Sequence, residues 1–275
     1  MKNYILKKLY SLLGEVNKKQ LRILIFHDIE RKQETRFEEL IYYLKKSWNI
    51  ISPNEFKEMT KFNSKKDYDR NILISFDDGY KSQRIVAEKY LNPLKIKALF
   101  FVVSDFIKIN SFNESQEFIK KNFYKDKNHK RDISPETSNM ILNDIKYLIE
   151  CGHSIGGHSK THADLSKIKD NDTFIDEIIN SSTELENMIG NYKIDDFAYT
   201  FGDINSINER SVKLITNRYK YLYSGLRGNN FNLNSKIIRR DAINLNEPFQ
   251  VISSYLNGYV DIIYRNKIRK LEKWK

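Results

Sequence analysis

Two pairs of side chains have the types and spacing to do chemistry together. Asp77 and Asp78 stand side by side after the apolar run Leu73-Ile74-Ser75-Phe76, and Gly79 behind them permits a tight turn. Adjacent carboxylates at the mouth of a buried strand repel each other and are costly unless a cation shares the site. Strand neighbours alternate in direction, so one carboxylate can bind a metal while the other faces a substrate. A solvated Asp-Asp-Gly turn is the plain alternative. The second pair, His158 and His162, is spaced i, i+4 in Gly157-His158-Ser159-Lys160-Thr161-His162. On a helical turn that spacing sets both imidazoles on one face. With His153, three of the chain's five histidines fall within ten residues. One carboxylate and two imidazoles would leave coordination positions open for water and substrate, as a catalytic metal site requires.

Such groups need a frame. Beyond residue 20 short apolar strands alternate with helical stretches, the pattern of an α/β fold. Strands are predicted over 21–26, 71–76, 97–103, 153–156, 197–200, 219–224 and 237–243. Helical periodicity covers 37–48 and 82–90, and another helix starts near Pro53. Ser134-Pro135-Glu136 predicts a helix running to about Glu150, with Pro at its first position, and Asp172 to Ile189 predicts one ended by Gly190. Seven or so strands alternating with helices predict a single distorted (β/α) barrel over 21–262, with its chemistry at the carboxy ends of the strands. Residues 104–132 are polar and weakly patterned and read as an insertion over one face.

The 275 residues, 40% of them apolar with 16 Phe and 17 Tyr, can build a sizeable core. Only 10 Gly and 4 Pro exclude collagen-like or Pro-rich architectures. A net charge of +11 favours anionic partners, but the cations are interleaved with acids along the chain, so no nucleic acid is expected. The single cysteine, Cys151, excludes an intramolecular disulfide and a multi-cysteine zinc site. The longest apolar run, Ala98 to Val103, is too short to span a membrane. Lys7 and Lys8 interrupt what would be the apolar region of a signal peptide, so a cytoplasmic location is expected, peripheral at the inner face of the membrane. Over residues 1–20, Ile5, Leu9, Leu12, Leu13 and Val16 fall at helical spacing among Lys2, Lys7, Lys8, Lys18 and Lys19. That segment reads as an amphipathic helix, either lying on an anionic membrane or docked on the domain. A basic tail over 263–275 adds a second positive patch.

The motifs carry a resemblance. Ser75-Phe76-Asp77-Asp78-Gly79 closely resembles the Thr-Phe-Asp-Asp-Gly motif of the polysaccharide deacetylase family, the NodB-homology domain of carbohydrate esterase family 4. The stretch from Gly152 to His162 resembles that family's second motif, a glycine-rich strand leading into His-Ser-x-x-His, and Phe197-Ala198-Tyr199-Thr200-Phe201-Gly202 is similar to its third, Phe-Ala-Tyr-Pro-Phe-Gly. The resemblance covers roughly residues 20–245. It implies metal-dependent hydrolysis of the N-acetyl group of an amino sugar in a glycan or glycan precursor, a lipid-linked saccharide among the candidate substrates. It also implies that Asp78, His158 and His162 bind a divalent metal, most commonly Zn2+, that Asp77 is the general base, and that the N–H of Phe201 stabilises the oxyanion. A deacylase or deformylase for another amide, and a catalytically silent glycan-binding protein at the membrane, are the alternative readings.

The chain departs from the family pattern twice. Thr200 stands where Pro is usual, and the carboxy-terminal Leu-x-His motif is absent because no histidine follows His162. Circularly permuted members carry that histidine on the first strand, and Phe26-His27-Asp28 resembles their arrangement, which makes His27 the candidate general acid. Ile238-Arg239-Arg240-Asp241-Ala242-Ile243 is similar to a late arginine-bearing strand of permuted members. By that resemblance Arg240, or Arg239 one position earlier, holds the base through a bidentate pair.

Overall fold

The computed structural model describes residues 19–62, 69–124, 133–231 and 235–274, so the amphipathic stretch predicted at the amino end lies almost wholly outside the described residues. The frame is a nine-stranded parallel sheet curled into a half-barrel. Its strands are β1 (Gln20–Phe26), β2 (Asn49–Ile50), β3 (Arg70–Phe76), β4 (Leu99–Val102), β5 (Ser154–Gly157), β6 (Asp196–Ala198), β7 (Tyr221–Tyr223), β8 (Ile237–Ile238) and β9 (Asp241–Ala242). They run in the order β8-β7-β6-β5-β4-β3-β1-β9, with β2 paired to the early part of β3 and β4 to its end. The helices are α1 (Glu34–Ser47), α2 (Pro53–Phe62), α3 (Lys81–Val86), α4 (Phe112–Asn122), α5 (Leu142–Glu150), α6 (Asn171–Ile175), α7 (Ser181–Ile189), α8 (Glu209–Arg218), α9 (Phe249–Leu256) and α10 (Asp261–Glu272). One π turn, Ala87–Leu91, extends α3, and another, Asp176–Asn180, joins α6 to α7.

β1 and β4 are buried along their whole length because both faces of the sheet are covered, as parallel sheets require. The outer face, with Leu24, Phe26, Ile72, Ile74, Phe76 and Phe100, packs on helical residues such as Phe37, Leu40 and Leu44. The alternate residues Leu21, Ile23, Leu73, Leu99, Phe101, Tyr223 and Ile238 fill the barrel, and Phe56 of α2 joins them. Phe101 needs Gly156 opposite it, since a Cβ there would sit 2.5 Å from the ring.

All seven predicted strands are present, but the last is cut in two. Arg239 and Arg240 leave the ladder between β8 and β9: the Arg239 N–H donates to Asn230 Oδ1 and the Arg240 N–H to Leu226 O. This is the seam of the barrel, bridged by a loop whose Asn230 N–H donates to Leu21 O at 2.9 Å. The helix expected from Pro135 begins only at Leu142. Residues 138–140 instead run beside 79–81, with Lys81 N–H on Ser138 O and Met140 N–H on Gly79 O, and Asp144 accepts the Ile141 N–H to start the helix there. The polar insertion is more structured than its composition predicts. Its helix α4 buries Ile119 in a small cluster with Tyr80, Val103, Phe106 and Phe123. The basic carboxy-terminal stretch is helical as well, and α10 docks through the buried Leu271. No helix among the described residues is long and apolar enough to cross a membrane.

Candidate active site

The chemistry gathers at the carboxy ends of β3, β5 and β6. Asp77 and Asp78 follow β3 directly, and β4 pairs with both β3 and β5, which brings them close to His158. Four residues at this mouth hold left-handed backbone without being glycine: Asp78 (φ 82°), Ser159 (φ 63°), His162 (φ 65°) and Phe201 (φ 60°). Strain of this kind costs roughly 1–3 kcal/mol per residue and survives only where the surroundings enforce it.

Asp78 Oδ1 lies 3.3 Å from His158 Nε2 and 3.4 Å from His162 Nε2. The two imidazoles meet through an irregular loop, not on the helical turn the i, i+4 spacing suggests. Buried Glu177, in the π turn between α6 and α7, holds that loop by accepting the Lys160 and Thr161 N–H groups at 2.9 and 3.0 Å and the Thr161 hydroxyl at 2.5 Å. Each ring is aimed from behind by a main-chain carbonyl, His158 Nδ1 donating to Ala198 O (2.7 Å) and His162 Nδ1 to Asn122 O (3.0 Å). That tautomer turns a bare Nε2 toward Asp78, the outer-shell arrangement of metal-ligating histidines. The insertion therefore supports the site, and His162 is further wedged between the rings of Phe123 and Phe201, at 4.8 and 4.6 Å.

The donor set fits a divalent ion. Asp78 Oδ1 is buried without a hydrogen-bond partner, an expensive state for a carboxylate oxygen. The separations of 3.3 and 3.4 Å exceed the roughly 2.7–2.9 Å of charge-assisted hydrogen bonds. They match donors sharing one ion about 2 Å from each. Asp78, His158 and His162 form a buried set able to hold a metal, with their ligand atoms within 4.8 Å of one another.

Asp77 has a different partner. Arg240, fully buried at the seam, donates from Nη1 to Asp77 Oδ1 (2.6 Å) and from Nη2 to Oδ2 (2.8 Å). Its Nε donates to Ser224 O at 3.0 Å, and its guanidinium lies 4.8 Å from the Phe101 ring centre. Of the two arginines only Arg240 reaches Asp77; Arg239 points the other way, to Glu272 and Asn229 O. Burial alone would raise the Asp77 carboxyl, yet the Arg240 guanidinium holds it below the usual carboxylate range. Gln83 of α3 donates to the main-chain carbonyls of both Asp77 and His27, tying the ends of β1 and β3 together. His27 itself is exposed at the mouth, and a charge on it would help keep both Asp77 and Asp78 ionised.

The third-motif turn is held without the usual proline. Buried Thr200 donates its hydroxyl to the carbonyl of Ala163, next to His162, at 2.5 Å, and Tyr199 Oη donates to Gly202 O at 2.7 Å. Gly202 packs on Gly225 so closely that a Cβ would fall 2.7 Å from its backbone.

A buried donor set of one carboxylate and two imidazoles at a strand mouth, with a second carboxylate beside it, is an arrangement that metal-assisted hydrolysis can use. Comparison with known families makes this specific: the family model described as Polysaccharide deacetylase matches residues 64–220, more than half of the chain. The chain belongs to that family of hydrolytic enzymes, which remove acetyl groups from saccharides. The match includes Asp77, Asp78, His158, His162 and Phe201 and leaves His27 and Arg240 outside. No curated protein matches the sequence. Solved structures share the fold at low identity. The Streptococcus pyogenes deacetylase PplD in complex with acetate is 17% identical, with a TM-score of 0.66 over 86% of this chain and 98% of that one. IcaB from Ammonifex degensii is 18% identical, with a TM-score of 0.62 over 88% and 97%. A de-N-acetylase from Aggregatibacter actinomycetemcomitans is 13% identical, with a TM-score of 0.64 over 86% and 100%.

Proposed function

We propose that the chain removes the N-acetyl group from an amino sugar in a glycan precursor, with Asp78, His158 and His162 holding a divalent ion, zinc first among the candidates. The observation that carries this reading is the partnerless, buried Asp78 oxygen facing two bare imidazole nitrogens beside an arginine-clamped Asp77. When bound there, the ion supplies Lewis-acid polarisation of the amide carbonyl and a lowered pKa for the attacking water. Asp77 takes the proton of that water. Arg240 occupies one lone pair on each Asp77 oxygen, which leaves others to accept, and it keeps the group ionised and aimed. The N–H of Phe201 donates to the oxyanion, from a turn fastened by Thr200. His27, exposed at the end of β1, hands a proton to the leaving nitrogen, since an amine expelled as an anion is a very poor leaving group.

The favoured substrate is a lipid-linked saccharide of surface-polysaccharide metabolism, met at the cytoplasmic face of the membrane. The net charge of +11 supports an anionic carrier or surface. The test is acetate release from a panel of N-acetylated saccharides, with and without added divalent metal. Metal-dependent acetate release is expected. Turnover of N-formyl but not N-acetyl sugars would move the assignment to a deformylase, and absence of both hydrolysis and stoichiometric metal would make the chain a silent binding protein.

A further inference from the structure

We infer that the outward face of α10 docks the enzyme on an anionic lipid bilayer, an inference that rests on the membrane-facing substrate proposed above and names the surface that meets it. Ile263 (71% exposed) and Ile262 (56%) have the highest exposures among the described large apolar side chains, and they are adjacent. Ile262, Asn266, Arg269 and Lys273 follow one another at i, i+4, i+7 and i+11, so they share a stripe, with Ile263 and Lys270 beside it and Arg265 on its other flank. All seven are exposed.

Each acid of this helix is paired with an arginine of the barrel. Asp261 accepts from Arg22 at 3.0 and 2.8 Å, and Glu272 pairs with Arg239 at 2.7 Å. Arg265, Arg269, Lys270 and Lys273 make no ion pair among the described residues. A second copy of this face, or the lysine-rich segment at the amino end, would bring like charge against like. An anionic bilayer suits both halves of the pattern, with cations at the headgroups and the isoleucine pair entering the acyl boundary. Twelve residues are enough to lie on a bilayer and too few to cross one.

The inner face of the helix explains what docking would accomplish. Leu271 is buried in the outer core, and Lys267 Nζ donates to Asp203 Oδ2 at 2.5 Å. Asp203 lies two residues beyond Phe201, so α10 is fastened to the turn that borders the catalytic mouth. A docked helix would hold that mouth at a set height over the lipid, where a carrier-linked sugar projects.

Flotation of the full-length protein with two vesicle types tests this: phosphatidylcholine alone, and phosphatidylcholine with roughly 30% phosphatidylglycerol. The wild type is expected to bind only the anionic vesicles, and less as salt rises. The triple variant Arg269→Glu/Lys270→Glu/Lys273→Glu is expected to lose about tenfold or more in binding, and Ile262→Ser/Ile263→Ser about threefold to tenfold. Both should release acetate from a soluble N-acetylated saccharide at the wild-type rate, so the docking surface and the deacetylase reading stand or fall separately. Undiminished binding by both variants, or equal binding to the two vesicle types, would overturn the assignment to α10.

Discussion

Among the buried carboxylates, Asp196 lies at the floor of the barrel and Asp77 and Asp78 at its mouth, and the two ends treat them in opposite ways. At the floor, Asp196 at the start of β6 receives Lys57 Nζ from α2 at 2.6 Å and the Tyr223 hydroxyl at 3.0 Å. Burial outweighs those partners and leaves its carboxyl above the usual range. At the mouth, Asp77 is clamped on both oxygens by Arg240 and Asp78 faces two imidazoles, and both are held below the usual range against the same burial. Four of the six non-glycine residues with left-handed backbone among the described ones also lie at the mouth. A carboxylate that only has to be tolerated needs one ammonium and a hydroxyl. One that must stay charged and available needs bidentate geometry or a shared cation, and the local backbone strain is concentrated where that geometry is built.

The sharpest way to break this contrast is to remove an imidazole. His158→Ala and His162→Ala should each lose bound metal and measurable turnover while thermal melting shows an intact fold; full metal occupancy in both would dissolve the ligand set. Next in size is His27. His27→Ala and His27→Gln should keep the metal and lower kcat by about two to four orders of magnitude, with the basic limb of the pH–rate profile displaced. Near-normal turnover in both would remove His27 from the mechanism.

A smaller effect is expected at Thr200. Thr200→Val should lower kcat by about tenfold, less than the roughly hundredfold or more for deleting an oxyanion donor, and Thr200→Ser should restore it. Equal rates for Val and Ser would show that the hydroxyl on Ala163 does not position the turn. Smallest in turnover, but measurable in stability, is His153, whose role contrasts with that of its two neighbours. Its Nδ1 accepts from the Ala98 N–H at 3.0 Å and its Nε2 lies 2.8 Å from Asn92 Oδ1, so the fold selects the neutral ring. Burial, with Lys97 nearby, pushes it down to about 4. Between pH 6.5 and about 4 the unfolded chain therefore binds the extra proton. Stability complete above pH 6.5 should fall by roughly 3 kcal/mol on acidification through that window. His153→Gln should flatten this slope in urea titrations and leave kcat unchanged; an unaltered slope would contradict the assignment.

Much of the frame was readable because it depends on pattern. Apolar runs ending in Asp77-Asp78 and before His158 put the candidate residues at strand mouths, and a strand is present in each of the seven predicted stretches, with β2 added and the last split into β8 and β9. What escaped depends on contacts between distant residues. The break at Arg239-Arg240 follows from closure against Asn230 and Leu226, which no local period reveals. The support that α4 gives His162 comes from a main-chain carbonyl, Asn122 O, and carries no side-chain signature. Glu177 did leave a signal, a charge at i+3 from Phe174 on the buried face of an amphipathic helix. The shift of a helix start from Pro135 to Leu142 reflects pairing with residues 79–81 that overrode a favourable local start.

In the proposed function two neighbouring aspartates divide the work, Asp78 for the ion and Asp77 for the proton. The direct measurement is the metal content of purified Asp77→Asn and Asp78→Asn proteins, each beside its acetate-release rate. Stoichiometric metal with no turnover is expected in Asp77→Asn, and loss of both in Asp78→Asn. Metal retained by Asp78→Asn and lost from Asp77→Asn would contradict it.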